Sequence, residues 1–236
     1  MREYSLLYLL LCLLVIMSVT IAVYFTKRLN KTRVIFCTGV VLVLLEIAKQ
    51  ILMGRIYASY SWSDFPAQLC SMPMYLCILY PFIRKGQKTI NLFLRSFATL
   101  GAIFAFAIPY DILSSYLLLS IHSTLWHAIL LYLGVYCVVT GEQPEGKDVR
   151  NSALLYLALA MAAIVINGLL AGISDGTANM FFLGPSRPNV LILDDIYEKC
   201  GWFVESVAMI CGSEVAGIIV LLTGAWLRKV FRKNKN

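Results

Sequence analysis

Two side chains in this sequence have the chemistry of a nucleophile and its base, the Cys70 thiol and the His127 imidazole. A thiolate is the attacking form of cysteine; its free pKa of about 8.5 falls beside an imidazole, which can take and return the proton. Gln68, Asn167 and Asn179 are amides able to donate to the oxyanion of a tetrahedral intermediate. His122, Ser123 and Glu205 are secondary candidates. Ser123 and His127, at i and i+4, share a helical face, whereas His122 and His127 point about 140° apart. The two histidines make a poor metal pair, and none of the seven cysteines forms a Cys-x-x-Cys pair. No metal or cofactor is expected. A lone thiol or imidazole in an apolar helix is more often there for packing or an interhelical hydrogen bond, so spacing alone does not assign a catalytic role.

The elements that must position these groups follow from composition. Of 236 residues, 60% are hydrophobic and 14% charged, with mean hydropathy +0.78. Soluble domains sit nearer ~45–50% and ~25%. That balance excludes a soluble globule, a disordered chain and a disulfide scaffold, and predicts an all-α, multi-pass membrane protein. Apolar runs long enough to cross the bilayer predict seven spans in a single domain 1–236, at about 4–25, 34–53, 65–83, 90–108, 120–139, 152–171 and 202–226. Residues 112–119 read as an interfacial segment. A long outer loop at 172–201 and a basic tail at 227–236 complete the chain. Lys and Arg concentrate after the first span (Lys27 to Arg33), the third (Arg84 to Lys88) and the fifth (Lys147, Arg150), and in the tail. The positive-inside rule then places the N-terminus outside and the C-terminus in the cytoplasm. The net charge of +7 is thereby assigned to topology, and no nucleic-acid partner is expected.

Ionisable groups inside spans need a partner or a task. Glu46, Lys49 and Gln50 share a face of the second span and can pair. Arg95 lies close enough to the inner boundary to snorkel. Glu214, near mid-span, is expected to answer Arg95 or Lys49 across helices. These charges allow a second function class, a small-solute carrier or receptor-like scaffold, and they lie too deep to serve a thiol in the outer leaflet. Pro66 suits a first helical turn behind an Asp64 cap. Pro73, inside the predicted third helix, is expected to kink it and free the Leu69 carbonyl.

Phe65-Pro66-Ala67-Gln68-Leu69-Cys70-Ser71 resembles the Pro–hydrophobe–Gln/His–Leu–Cys–Ser element of the bacterial YwaF family, which is related to the eukaryotic transmembrane protein 164 acyltransferases. Ser123-Thr124-Leu125-Trp126-His127, with Tyr136 beyond, resembles that family's histidine-bearing helix. Asn179 to Pro185 resembles its Asn-centred loop. The likeness runs over roughly 35–225. Ala67 departs from it, standing where a larger apolar residue is common, and His122 falls outside the pattern. The resemblance implies a bacterial plasma-membrane enzyme that moves a fatty acyl chain between membrane phospholipids, donor and acceptor alike. Cys70 would be the thioester-forming nucleophile and His127 its general base and acid.

Overall fold

The computed structural model describes residues 5–57, 60–108, 112–188 and 190–233. Tyr4, where the first predicted span begins, Arg2, and residues 234–236 of the predicted tail lie outside them. Among the described residues every regular element is helical. In chain order they are α1 (Leu6–Thr26), α2 (Lys31–Ile56), α3 (Met72–Leu79), α4 (Arg84–Ala107), α5 (Leu117–Thr140), α6 (Gly146–Leu170) and α7 (Leu191–Lys233). All except α3 contain a stretch long and apolar enough to cross a membrane, which makes six. The chain is a multi-pass, all-α membrane protein, as its composition predicts.

Local chemistry sets the helix starts. The Ser5 hydroxyl accepts the Tyr8 N–H (3.3 Å), and the Asn30 amide oxygen accepts the Arg33 N–H (3.1 Å), each satisfying a first-turn donor that has no intrahelical partner. Glu145 and Asp148 cap α6 reciprocally. The charge-free run after Ile112 turns helical at Leu117. α7 starts at Leu191, inside the predicted outer loop, and bends at Gly201, whose φ of +79° suits glycine. It then continues as helix to Lys233, through most of the predicted tail.

The third predicted span is a different object from the continuous helix expected. A 3₁₀ turn at Trp62–Asp64 is followed by irregular chain, a second 3₁₀ turn at Leu69–Ser71, and only then α3. Pro73 stands in the first turn of α3, where its missing N–H costs nothing. It therefore starts a helix instead of kinking one, and the Leu69 carbonyl is not freed: it accepts the Met72 N–H. Asp64 closes the first 3₁₀ turn and caps no helix.

Contacts between helix ends show how the elements alternate. At one end of the bundle the Tyr132 hydroxyl donates to Thr26 (2.9 Å), Lys88 pairs with Asp148 (2.8 Å), and Gln143 reaches the Ala225 carbonyl (3.4 Å). At the other end the Tyr8 hydroxyl donates to the Phe106 carbonyl (2.8 Å), and His122 meets the Leu45 carbonyl (3.1 Å). We call the first the basic end and the second the Cys70 end.

α4 is the centre. In its most apolar window 61% of residues are buried, against 17–33% in the other five long helices. It contains a π turn, Leu94–Ala98, of which all five residues are buried. The outer helices instead present leucine, isoleucine and valine outward, for example Leu10, Ile21, Leu44 and Ile219, as suits a lipid solvent. Close approach between α2 and α3 depends on Gly39: a Cβ there would sit 2.7 Å from the Cys77 Cβ and 3.0 Å from the Ile78 nitrogen. Gly54 of the same helix has nothing within 4 Å. Gly39→Ala is expected to destabilise the protein by about 1–3 kcal/mol through overpacking. Gly54→Ala should be neutral or stabilising by up to about 1 kcal/mol. Denaturant unfolding of the two purified variants checks the contrast.

Candidate functional site

The Cys70 segment is irregular, so its peptide carbonyls have no helical ladder to satisfy them, and side chains from three directions do that work. Lys49 (3.3 Å) and Gln50 (3.0 Å) of α2 both donate to the Asp64 carbonyl. The Tyr75 hydroxyl donates to the Pro66 carbonyl (2.7 Å). The Trp126 indole N–H of α5 donates to the carbonyl of Cys70 itself (3.2 Å). Cys70 is half-buried and faces α4 at Gly101, where a Cβ would lie 3.9 Å from its own.

The Asn-centred loop is held by the predicted amides. Gln68 bridges to it with both ends of its side chain: Nε2 donates to the Asn179 carbonyl (3.0 Å), and Oε1 accepts the Phe181 N–H (2.9 Å). Asn167 does the same for Met180, accepting its N–H (2.7 Å) and donating to its carbonyl (3.1 Å). Asn179 folds back on its own loop, accepting the Gly184 N–H (2.7 Å) and donating to the Ser186 carbonyl (3.0 Å). Trp202 and Tyr197 donate to the Leu183 and Pro185 carbonyls (3.1 and 2.6 Å). Phe181 and Phe182 both adopt φ of +58°, a left-handed conformation costly for aromatic residues. All three amides are thus engaged with peptide groups of this loop: Gln68 ties it to the Cys70 segment, Asn167 ties it to α6, and Asn179 closes it on itself.

His127 and Ser123 do share a face. His127 Nδ1 lies 2.9 Å from the Ser123 carbonyl and 3.4 Å from its hydroxyl. A carbonyl can only accept, so Nδ1 carries the proton in the neutral ring and Nε2 carries the lone pair. His122 is occupied elsewhere, with Nε2 on the Leu45 carbonyl and its ring stacked on Trp126 at 5.8 Å. His122 thus shares a face with Trp126, whose indole bonds the Cys70 carbonyl, and is tied to α2, while His127 bonds to Ser123 on the adjoining face of α5. Glu205 lies under the loop, one turn beyond Trp202. It is fully buried; Oε2 is 3.5 Å from the Ser206 hydroxyl and Oε1 has no hydrogen-bond partner.

The deeper charges separate into different roles. Glu46 pairs with Lys49 (2.9 Å) and accepts from Gln50 (2.7 Å). Lys49 and Gln50 of this cluster also grip the Asp64 carbonyl, six residues before Cys70. Glu214 answers neither Arg95 nor Lys49. Its Oε1 has no hydrogen-bond partner, and the residue lines a small cavity with Ser152, between α4, α6 and α7. Arg95 donates from Nη1 to the Glu142 carbonyl (2.8 Å), in the loop beyond α5, and is 1% exposed, so its side chain extends to that end of the bundle but stays out of solvent. The spacing gave no sign of Trp126 or Tyr75 as carbonyl donors, since neither role has a sequence period.

One outcome follows. Asn167→Leu leaves the buried Met180 N–H and carbonyl unpaired, and is expected to destabilise by about 2–4 kcal/mol, with faster proteolysis in 172–190.

No curated protein and no solved structure matches the chain. A model of the TMEM164 family matches residues 2–224. That span takes in the Cys70 segment, the histidine-bearing helix α5 and the Asn179 loop together. The chain belongs to the TMEM164 family.

Proposed function

We propose that this protein is a membrane acyl-lipid enzyme, a phospholipid acyltransferase working through a thioester on Cys70. The observation that carries the proposal is the Trp126 bond to the Cys70 carbonyl (3.2 Å), one residue before a histidine whose Nδ1 is fixed by the Ser123 carbonyl. In the reaction, His127 Nε2 takes the thiol proton as Cys70 Sγ attacks the ester carbonyl of a donor phospholipid. The tetrahedral intermediate collapses with cleavage of the C–O bond, and the imidazolium returns its proton to the departing lysophospholipid oxygen. An acceptor hydroxyl then attacks the thioester, His127 again taking and returning one proton, and Cys70 leaves as the thiol.

The topology that goes with this is a seventh crossing. The irregular segment and α3 run from the level of Lys49, at Asp64, toward the start of α4, where Gln87 donates to the Tyr80 carbonyl (3.0 Å). The Gly39–Cys77 approach lies between. With seven crossings the basic end faces the cytoplasm, the N-terminus lies outside, and the Cys70 site opens toward the outer leaflet of the plasma membrane. There a lipid ester can enter while bulk water is limited, which favours transfer over hydrolysis.

The carrier or scaffold reading draws less support, because Glu46 and Lys49 are spent on each other, on Gln50 and on the Asp64 carbonyl. Wild-type protein incubated with phospholipid should gain an acyl mass on Cys70 that hydroxylamine removes. Cys70→Ala should lose the adduct completely, and His127→Gln should slow its formation by about 10²–10⁴-fold at unchanged abundance. Unaltered lipid composition and turnover in cells carrying Cys70→Ala would defeat the proposal.

A further inference from the structure

Glu214 and Ser152 line one small cavity between α4, α6 and α7, and each brings to it a polar atom with nothing to bond. Glu214 Oε1 and Ser152 Oγ are both buried, and neither has a hydrogen-bond partner. Ser152 is only 3% exposed. A helical serine commonly donates to the carbonyl four residues back. Ser96, on the α4 wall of the cavity, does so at Leu92 (2.8 Å), which leaves lone pairs on its oxygen. Ser152 makes no such bond. The cavity measures about 10 Å³, room for one water-sized occupant.

Packing explains why the space persists. Gly217 brings α7 so close to α4 that a Cβ there would lie 3.0 Å from the Phe97 ring. Beside that contact Ser96, Ser152 and Ala153 are too small to fill the gap among the three helices, and the remaining walls are apolar. An ionised carboxylate in such surroundings needs a positive partner. Arg95, next to Ser96 in the chain, sends its guanidinium to the Glu142 carbonyl instead. Among the described residues no ion pair includes Glu214. A water molecule in the cavity would satisfy the hydrogen bonds and leave the charge unanswered.

We propose that Glu214, Ser152 and Ser96 bind one small monovalent cation of the sodium class, one oxygen-bearing side chain coming from each of the three helices. Carboxylate and hydroxyl oxygens are hard ligands and suit a hard cation. A single carboxylate balances a single positive charge, whereas a divalent ion would leave a net charge among apolar walls. The space admits no hydration shell, so the hydroxyls stand in for the waters the ion sheds. Ser152 lies six residues, about 9 Å, inside the start of α6, in the half of the bundle nearer the basic end. The site shares no residue with the Cys70 segment and does not depend on the acyl reaction.

The full chain in phosphatidylcholine nanodiscs tests this, with sodium chloride replacing choline chloride at constant pH and ionic strength. The wild-type melting temperature should rise saturably, by about 4 °C once sodium reaches about ten times its Kd. Glu214→Gln keeps the shape, removes the charge and should lose the rise. Ser152→Ala keeps the charge, removes one ligand and should move the sodium midpoint up by about tenfold. It decides the matter where Glu214→Gln fails to fold. Asp195→Asn, which neutralises an exposed carboxylate of α7 before Gly201, should leave the response unchanged. No saturable sodium effect in the wild type, an undiminished effect in Ser152→Ala, or an equal loss in Asp195→Asn would overturn the proposal. So would a larger rise with magnesium that Glu214→Gln abolishes.

Discussion

A peptide group inside a bilayer has no water to bond, so irregular backbone persists there only if other protein groups satisfy it one by one. That constraint organises the Cys70 end. Asp64 meets Lys49, which is seven residues or about 10 Å inside the end of α2. The chain from Asp64 to Ser71 therefore lies below the helix ends without being helical. Its carbonyls are taken by Lys49 and Gln50, by Tyr75 and by Trp126. The Asn179 loop beside it obeys the same rule through Gln68, Asn167 and Asn179. An unsatisfied amide would cost several kcal/mol, so each of these side chains is held in place by the need it meets. The rigidity that places Cys70 comes from this set of bonds instead of from a helix.

The constraint also explains a short third segment. A full crossing needs about 20 helical residues, and Leu69–Leu79 supplies fewer. Entry below the helix ends removes part of the distance that helix must cover. The stretch is predominantly apolar, and apolarity is all that a hydropathy window weighs. Pro66 and Pro73 carry the missing information, because a residue without an N–H cannot sit beyond a first turn at low cost. Two such residues seven apart divide the stretch into an irregular half and a helical half. The six long helices were legible because each contains an apolar stretch long enough to cross a membrane. The length and start of α3 were not legible.

Site residues were legible to different depths. Cys70, Gln68, Asn167 and Asn179 were visible as polar groups in an apolar chain, and the structure gathers them with the loop. What they do there was less visible: both ends of an amide bonding one peptide unit is a three-dimensional match with no spacing signature. Glu46 and Lys49 show the same gap. Their i, i+3 pairing was plain, yet their hold on the Asp64 carbonyl depends on a segment 15 residues away folding back against them. The two histidines differ in hydrogen bonds that periodicity cannot assign. His122 spends Nε2 on Leu45, while the Ser123 carbonyl fixes Nδ1 of His127.

α4 ties the two ends of the molecule into one packing problem. Gly101 meets Cys70, and Arg95, six residues earlier, stands in the π turn toward the basic end. Because α4 is enclosed by neighbouring helices, neither residue can shift without moving Phe97, which contacts Gly217 of α7 and stacks on Tyr156 of α6 at 4.5 Å. An isolated charge is costliest in such a helix, and Arg95 offsets part of that cost by donating to the Glu142 carbonyl beyond the end of α5. The same bond ties the centre of the bundle to the turn between α5 and α6, so the π turn that carries the guanidinium and the loop that receives it are fixed together.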